Sequence, residues 1–275
     1  MPELPEVETV ARRLREGLGA PALLGRTIRD ARVLWPRELH ALSAPAFMAE
    51  VAGARVTDIS RVGKYLIIHL AGAARTAKRA HMLVHLRMTG KLDVVPEAEA
   101  LTKHARVIWM LDGGLALRFD DARKFGRVYL PERLEDVLGR VGPDALLMEP
   151  DAFVTQLRAK KGALKSLLLD QHFIAGVGNI YADESLHRAG LRPNRTANSV
   201  SPAAARALID AVQAVLREGI AANGASFDWV YPGGNFQDNF RVYGQTGKPC
   251  RICGTPIKRI VLGQRSTHYC PKCQR

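Results

Sequence analysis

Apolar residues are spaced differently in successive parts of the chain. Near the amino terminus they recur at helical intervals, at Val7, Val10, Ala11, Leu14 and Leu18. Pro5 and Glu6 suit the first turn of the same helix, through the fixed φ of proline and the positive end of the helix dipole. From about residue 26 to 130 the apolar residues fall in short runs between Gly, Asp and Lys clusters, a pattern typical of strands. We therefore expect a two-layer β domain with the first helix packed on it.

The pattern becomes helical after residue 150. Three segments, DAFVTQLRAKKG, ALKSLLLD and IYADESLHRAG, precede the longest predicted helix, for which Ser201 is the expected N-cap and Pro202 the first residue. The stretch 223–240 is rich in Gly, Asn and aromatic residues, which favours a loop. The sequence thus predicts an α+β multi-domain protein. Its predicted parts are an amino-terminal β domain (1–138), a linker (139–150), a helical domain (151–240) and a small carboxyl-terminal module (241–275).

The charge balance of the chain points to a polyanionic partner. Forty Lys and Arg residues against 27 Asp and Glu residues leave a formal net charge of +13, which suits nucleic acid first and an anionic membrane surface second. The sequence has no run of the ~20 apolar residues that a spanning helix needs. It also lacks the basic start and apolar core of a signal peptide. We expect a cytosolic protein with no membrane partner.

All four cysteines lie near the carboxyl end, as the pairs Cys250 with Cys253 and Cys270 with Cys273. Two Cys-x2-Cys pairs with sixteen residues between them are typical of a zinc site in which each pair supplies two thiolates. Two disulfides or inert buried thiols are the alternatives, and both are unusual in a cytosolic chain. We predict one structural Zn²⁺, because four thiolates leave no coordination position for water.

Two segments of the β domain resemble hairpin tips with unusual side chains. HLRMTGKL carries Met88, and FDDARKFGRV carries Arg123 and Phe125. An apolar side chain beside cations at such a tip suits insertion between base steps, although Met88 by itself is more typical of core packing. In the helical domain, AGVGNIYADES places a Gly-rich turn before a helix, whose amides and Asn179 could bind a phosphate.

Six motifs occur in a single order over nearly the whole chain. They are PELPEVET, KYLIIHL, HLRMTGKL, DARKFG, GVGNIYADESL and the cysteine module from CRIC to QRSTHYCPKCQ. Together they resemble bacterial formamidopyrimidine-DNA glycosylase. The resemblance implies a β-sandwich with its first helix, a helix-two-turn-helix domain and a zinc finger, with double-stranded damaged DNA bound in the cleft between domains. We expect a monomer, and the resemblance implies a cytoplasmic, nucleoid-associated bacterial protein.

The resemblance also implies a base excision repair activity, a DNA glycosylase combined with an AP lyase. Met1 would be removed, so that the secondary amine of Pro2 forms a Schiff base with the sugar, and Glu3 would protonate the ring oxygen. An α-amino group has a pKa near 8, so about a tenth of it is unprotonated at neutral pH. The implied outcome is removal of 8-oxoguanine and formamidopyrimidines, followed by β,δ-elimination.

Further roles carry over from the family to this chain by position. Lys64 and Arg265 would act in catalysis and bind the phosphates that flank the lesion. Other residues implied to contact DNA are Asn179, Glu6 and His104, with Glu6 anchoring the helix start. Met88, Arg123 and Phe125 would fill the gap and face the orphaned base after the damaged nucleotide is extruded.

Two departures from the family pattern leave the substrate preference open. The chain has DARKFG where DPRRFG is usual, so Ala122 and Lys124 alter the turn and one cation. The base-recognition loop, predicted at 226–240, is several residues shorter than usual and has GNF where GYF is common. An endonuclease VIII-like enzyme for oxidised pyrimidines is one alternative, although its relatives usually begin PEGPE and this chain has Leu4. A non-enzymatic zinc-ribbon protein that binds nucleic acid is the other.

Overall fold

The structure, a computed structural model, describes residues 1–72, 79–226 and 233–275. Its internal contacts divide the chain into two units. The described residues of the first unit are Met1–Pro2 and Glu6–Arg140, without 73–78, and those of the second are Glu3–Pro5, Val141–Ser226 and Gly233–Arg275. No helix among these residues is long and apolar enough to cross a membrane.

The first helix, α1 (Leu4–Glu16), follows the predicted apolar stripe for three turns. Val7, Val10 and Leu14 are buried in the core of the first unit, as expected from their helical spacing. The prediction was wrong for Leu18, which is 56% exposed. The helix ends at Glu16 because Gly17 adopts φ +75°, a left-handed conformation that terminates helices.

The first unit is built mainly from strands. In chain order its remaining elements are β1 (Ile28–Val33), β2 (Leu39–His40), α2 (Ala44–Val51), β3 (Arg55–Val62), β4 (Tyr65–Ala71), β5 (His81–His85), β6 (Gly90–Pro96), β7 (Ala105–Leu111), β8 (Leu115–Asp121), β9 (Arg127–Tyr129) and α3 (Glu135–Leu138). They form one sheet of order β1-β7-β8-β6 and a second of order β2-β9-β5-β4-β3. One core contains Leu66 and Ile68 from the second sheet with Trp109 and Phe119 from the first, so the two sheets form a sandwich.

The second unit is mainly helical and ends in a hairpin. Its elements are α4 (Pro150–Arg158), α5 (Leu164–Leu169), α6 (Asn179–Arg188), α7 (Pro202–Ala221), β10 (Lys258–Leu262) and β11 (Arg265–Tyr269). The predicted N-cap of α7 is confirmed, because the Ser201 hydroxyl accepts the N–H of Ala204 at 3.2 Å. The buried face of α7 packs in a core with Tyr181 and Phe236. The segment 139–150, expected as a linker, pairs Asp144 with Ala175 in an isolated β-bridge.

The predicted architecture of a β-sandwich, a helical domain and a cysteine hairpin is therefore confirmed. The loop predicted at 226–240 is described only in part, since residues 227–232 lie outside the described residues. Its described end contains a 3-10 helix at Phe236–Asn239. This helix places Phe236 in the second core, where it stacks on Tyr181 with ring centroids 5.1 Å apart.

Candidate active site and nucleic-acid interface

The amino-terminal residues are ordered by contacts that begin at Glu3. Met1 is 48% exposed, whereas Pro2 is buried and Glu3 is only 3% exposed. The N–H of Leu4 donates to the carbonyl of Gly176 at 3.0 Å, and Leu4 lies in the core of the second unit. A terminus that would ordinarily fray is thus fixed from its third residue onward.

The carboxylate of Glu3 binds the amino-terminal end of α6. It accepts the N–H of Ile180 at 2.9 Å and that of Tyr181 at 3.3 Å. Gly178 precedes these residues, and a Cβ there would lie 2.2 Å from the Glu3 carboxyl carbon, so only glycine fits. A carboxylate of the protein therefore already accepts the N–H groups of Ile180 and Tyr181, while the contact of Asn179 with a phosphate stays a prediction.

A buried lysine fixes the hairpin that carries Arg265. Lys165, on α5, is fully buried and donates to the carbonyl of Ser266 at 2.7 Å and to the Thr267 hydroxyl at 2.9 Å. Its ammonium also lies 2.7 Å from Asp183, which accepts the N–H of His268 at 2.9 Å. Burial lowers the pKa of Lys165, and Asp183 opposes that shift. Arg265 itself is exposed at the start of β11.

Asn179 is the first residue of α6 and lies next to the same hairpin. Its side-chain amide donates to the Ser266 hydroxyl at 3.4 Å. The structure therefore brings together, within the second unit, three of the predicted site residues: Glu3, Asn179 and Arg265. They are positioned by α6 and by the strand that follows the hairpin turn.

In the first unit, Lys64 lies in the turn between β3 and β4 and is only 5% exposed. Its neighbour His85 has its pKa lowered to about 3 by burial and by the positive charges of Arg87 and Lys64. The imidazole is thus neutral, and its Nδ1 accepts the N–H of Arg87 at 3.1 Å. This bond supports the segment that presents Met88, which is 37% exposed.

The segment 121–126 presents Arg123 and Phe125, with Phe125 47% exposed. The Arg123 guanidinium lies over the Phe125 ring, 4.9 Å from its centroid. Lys124 has φ +59°, and its ammonium lies 3.9 Å from the ring centroid of Trp35. His104 is half-buried beside this segment, and its carbonyl accepts the N–H of Asp121 at 2.9 Å. Glu6, in the first turn of α1, is 3% exposed.

The four cysteines form the predicted metal centre. Their sulfur atoms all lie within 4.8 Å of one another. The Sγ atoms of Cys250 and Cys273 are 3.9 Å apart, and those of Cys253 and Cys270 are 3.5 Å apart. A Zn–S bond of about 2.3 Å places neighbouring sulfurs of a tetrahedral site about 3.8 Å apart, so the residues fit one structural Zn²⁺. The disulfide alternative was wrong, because the cysteines are free.

The chain is similar over its whole length to known proteins. Family models match at residues 1–128 (formamidopyrimidine-DNA glycosylase N-terminal domain), 141–229 (its H2TH domain) and 247–275 (a zinc finger found in FPG and IleRS). A formamidopyrimidine-DNA glycosylase of Heliobacterium modesticaldum is 43% identical over 289 residues, with both chains fully covered. The chain belongs to the formamidopyrimidine-DNA glycosylase family.

Solved structures of family members share the fold. MutM in complex with DNA containing carbocyclic 8-oxo-G is 31% identical to this chain, with both chains fully covered and a TM-score of 0.89. Lactococcus lactis Fpg in complex with DNA containing an abasic site has the same identity and TM-score, with 99% of each chain covered. These similarities confirm the predicted enzyme class, the helix-two-turn-helix domain and the zinc finger of this chain.

Sequence reasoning missed the residues of this glycosylase that position the segments carrying the predicted site residues. Lys165 and Asp183 position the Arg265 hairpin, while His85, Thr89 and Asp121 contact the tips that present Met88 and Arg123. A signal was available for Lys165, since a lysine within the apolar segment ALKSLLL needs a buried partner. Asp121 resembled any solvated carboxylate beside a turn.

Proposed function

We propose that this protein is a bifunctional DNA glycosylase and AP lyase that removes oxidised purines, 8-oxoguanine and formamidopyrimidines, from double-stranded DNA. Membership of the family and the full-length similarity to DNA-bound relatives support the proposal. The observation that carries it is the docked amino terminus, in which Glu3 is held on the end of α6 one residue after Pro2. A protein that only binds nucleic acid has no use for such a terminus.

The proposed nucleophile is the secondary amine of Pro2, which becomes the amino-terminal group once Met1 is removed. It attacks C1′ of the damaged nucleotide, the bond from C1′ to the base breaks, and the base leaves with a proton. Ring opening then gives an iminium ion between Pro2 and the deoxyribose. Loss of a C2′ proton expels the 3′ phosphate, and a second elimination expels the 5′ phosphate.

Glu3 is the proposed proton donor to the sugar ring oxygen and carries protons in the later steps. Its two hydrogen bonds to the backbone of α6 fix the carboxylate, and the proposed nucleophile is the residue directly before it in the chain. A mobile terminus would have to be ordered in every catalytic cycle.

Lys64, Arg265 and Asn179 are the proposed phosphate contacts on either side of the lesion. The charges of Lys64 and Arg265 also serve the elimination steps by neutralising the leaving phosphates. His104 and Glu6 complete the proposed DNA-binding set. Once the nucleotide is extruded, Met88, Arg123 and Phe125 fill the space it leaves. Met88 and Phe125 are 37% and 47% exposed, so both side chains are accessible to a partner.

The zinc site is proposed to act through structure alone, because all four coordination positions are thiolates. Bound zinc holds the ends of the hairpin together, while Lys165 and Asp183 hold its strand β11. Arg265 is thereby presented on a rigid element.

Borohydride trapping tests the proposal directly. Wild-type protein, with no tag at its amino terminus, is mixed with a duplex containing 8-oxoguanine opposite cytosine and reduced, beside the Pro2→Gly and Glu3→Gln variants. A covalent adduct in the wild type that is lost in Pro2→Gly supports the amine nucleophile. No wild-type adduct on 8-oxoguanine, on a formamidopyrimidine or on an abasic site would refute the activity.

A substrate panel separates the purine assignment from the endonuclease VIII-like alternative. We expect faster excision of 8-oxoguanine than of thymine glycol in otherwise identical duplexes. Preference for thymine glycol would overturn the purine assignment while leaving the Schiff-base chemistry in place.

A further inference from the structure

Asp121, the last residue of β8, is a fully buried carboxylate that accepts hydrogen bonds from the segment 121–126. Its Oδ2 accepts the N–H of Phe125 at 2.8 Å and that of Gly126 at 2.7 Å. Its Oδ1 accepts the N–H of Arg123 at 3.2 Å. Three backbone donors therefore converge on one side chain, and they fix the path of the chain on both sides of Lys124.

The same carboxylate also binds the segment that presents Met88. The Thr89 hydroxyl donates to Oδ1 of Asp121, and its oxygen accepts the N–H of Arg123 at 3.2 Å. Thr89 is far from Asp121 in sequence, but Gly90 is the register partner of Asp121 in the β6–β8 ladder, so the two segments leave the sheet side by side. If Asp121 stabilised only the segment 121–126, its hydrogen bonds to Arg123 and Phe125 would be sufficient. The additional bond from Thr89 shows that it also connects this segment to the one that carries Met88.

The residues packed against Asp121 restrict the conformation of the segment 121–126. A Cβ on Gly126 would lie 2.4 Å from the ring of Phe119 and 3.1 Å from Oδ2 of Asp121. Phe119 is itself fully buried in the core of the first unit. Lys124 adopts φ +59°, a conformation that non-glycine residues adopt at a cost. The hydrogen bonds to Asp121 therefore stabilise a backbone shape that would not persist unaided.

The two segments present exposed apolar side chains, Met88 and Phe125, which are accessible to a partner. Two separately mobile tips would lose conformational entropy on entering a base stack, whereas tips fixed to one another would lose less. We propose that Asp121, through Thr89, is a positioning residue that holds Met88 on one side and Arg123 with Phe125 on the other in the mutual geometry needed to enter duplex DNA. This inference rests on the proposed function, because it assigns the tips to the gap left by an extruded nucleotide.

Substitutions at Thr89 test the link with least risk to the fold. Thr89→Val keeps the shape of the side chain and removes the hydroxyl, while Thr89→Ser keeps the hydroxyl. We expect Thr89→Val to slow single-turnover excision of 8-oxoguanine roughly tenfold, the usual consequence of losing one hydrogen bond to a charged group. Thr89→Ser should restore the wild-type rate, which a role in packing alone would not predict.

The second measurement reports insertion itself. 2-Aminopurine is placed opposite a tetrahydrofuran abasic analogue in a duplex, and its fluorescence change on protein binding is compared among wild type, Thr89→Val and Asp121→Asn. Both variants should show a smaller change at saturating protein. Asp112→Asn is the matched control, because Asp112 accepts the N–H of Thr27 at 3.0 Å away from the tips, and it should match the wild type.

Trapping on an abasic duplex separates this inference from the proposed function. Trapping of Thr89→Val should remain within about twofold of wild type, because an abasic nucleotide has no base to extrude. A wild-type protein that cannot be trapped contradicts the proposed function instead. An unchanged 2-aminopurine signal and excision rate in Thr89→Val, or equal losses on both substrates, would overturn the role of Asp121, even if Asp121→Asn fails to fold.

Discussion

Two segments of this glycosylase present an arginine, Arg123 in the loop after β8 and Arg265 at the start of β11, and buried charges of opposite sign hold these segments. The Arg123 loop (121–126) is organised by a carboxylate, Asp121, which accepts backbone N–H groups. The Arg265 hairpin (258–269) is organised by an ammonium, Lys165, which donates to a backbone carbonyl and a hydroxyl. A buried anion accepts hydrogen bonds from backbone N–H groups, and a buried cation donates hydrogen bonds to carbonyl groups. A buried charge of either sign can therefore order a loop that carries a positive side chain.

The two buried charges are compensated differently. Lys165 has a carboxylate, Asp183, at 2.7 Å, and both side chains are fully buried. Asp121 instead has neutral hydrogen-bond donors in contact and a second buried acid, Glu38, nearby. The hairpin also has a metal centre at its ends. We therefore expect removal of one component to cause a large loss of structure in the hairpin. Removal of one contact from the Arg123 loop should cause a smaller loss of stability.

Removal of zinc should have the largest effect, and the loss of structure should be confined to the Arg265 hairpin. Structural zinc sites of this kind have apparent binding free energies of about 10–16 kcal/mol. Chelation should raise hydrogen exchange in β10 and β11 and abolish specific DNA binding, while exchange in β7 and β8 stays unchanged. Added Zn²⁺ should restore both properties. Protected hairpin amides in zinc-free protein would show that the Lys165 contacts suffice.

Lys165→Met should have the next largest effect, because it leaves Asp183 buried without its cation. Loss of one partner of a buried pair costs about 3–5 kcal/mol of unfolding free energy. Urea denaturation measures this cost, with Lys160→Met, an exposed substitution nearby, as the control. A loss below about 1 kcal/mol would mean that the hairpin does not depend on the buried charge.

The pH dependence of the unfolding free energy tests the burial of Glu38, an acid that lies near Asp121 of the Arg123 loop. Burial, followed by the charge of Asp121, raises the pKa of Glu38 from 4.5 to about 7, and neither carboxylate oxygen has a hydrogen-bond partner in the part of the chain that the structure describes. Between these values the folded state binds more protons than the unfolded state, so the unfolding free energy falls as pH rises from about 4.5 to about 7.

Glu38→Gln should remove this fall, which amounts to at most about 3 kcal/mol between pH 5 and pH 8. Denaturation of both proteins at the two pH values measures it. Glu135→Gln, at an exposed position, should leave the pH dependence of the wild type intact. Equal slopes for wild type and Glu38→Gln would show that Glu38 is solvated.

A pair of glycine substitutions should give the smallest effects and compare the two loops directly. Gly126→Ala places a Cβ 2.4 Å from the ring of Phe119 and should cost about 1–3 kcal/mol of stability through overpacking. Gly263 has φ +53°, and a Cβ added there would meet no atom within 4 Å, so Gly263→Ala should cost only backbone strain of about 1 kcal/mol. Thermal denaturation ranks them, and the reverse order would contradict the tight packing behind Asp121.

The elements that the sequence predicted well are those set by local signals. The N-cap at Ser201, the helical period after residue 150 and the spacing of the four cysteines each depend on residues close in sequence. The end of α1 was misjudged because the apolar stripe continues to Leu18, whereas the conformation of Gly17 decides where the helix stops.

The contacts that the sequence could not predict join distant residues. Lys165 bonds to Thr267, and Glu3 bonds to Ile180, so no window of sequence contains both partners. The same holds for Thr89 and Asp121. The motifs indicated which side chains are expected to face the DNA, and the structure adds the buried groups that fix the segments carrying them. The roles of Pro2, Lys64 and Arg265 in the reaction stay predictions.

The bond between Glu3 and the start of α6 also has a consequence for biosynthesis. The ribosome makes the chain from the amino terminus at about 5–20 residues per second, and Glu3 finds its partners only after Tyr181 has been added. The first residues therefore stay undocked for on the order of 10–40 s after they are made. The proposed removal of Met1 has that interval in which to take place, before folding buries Pro2.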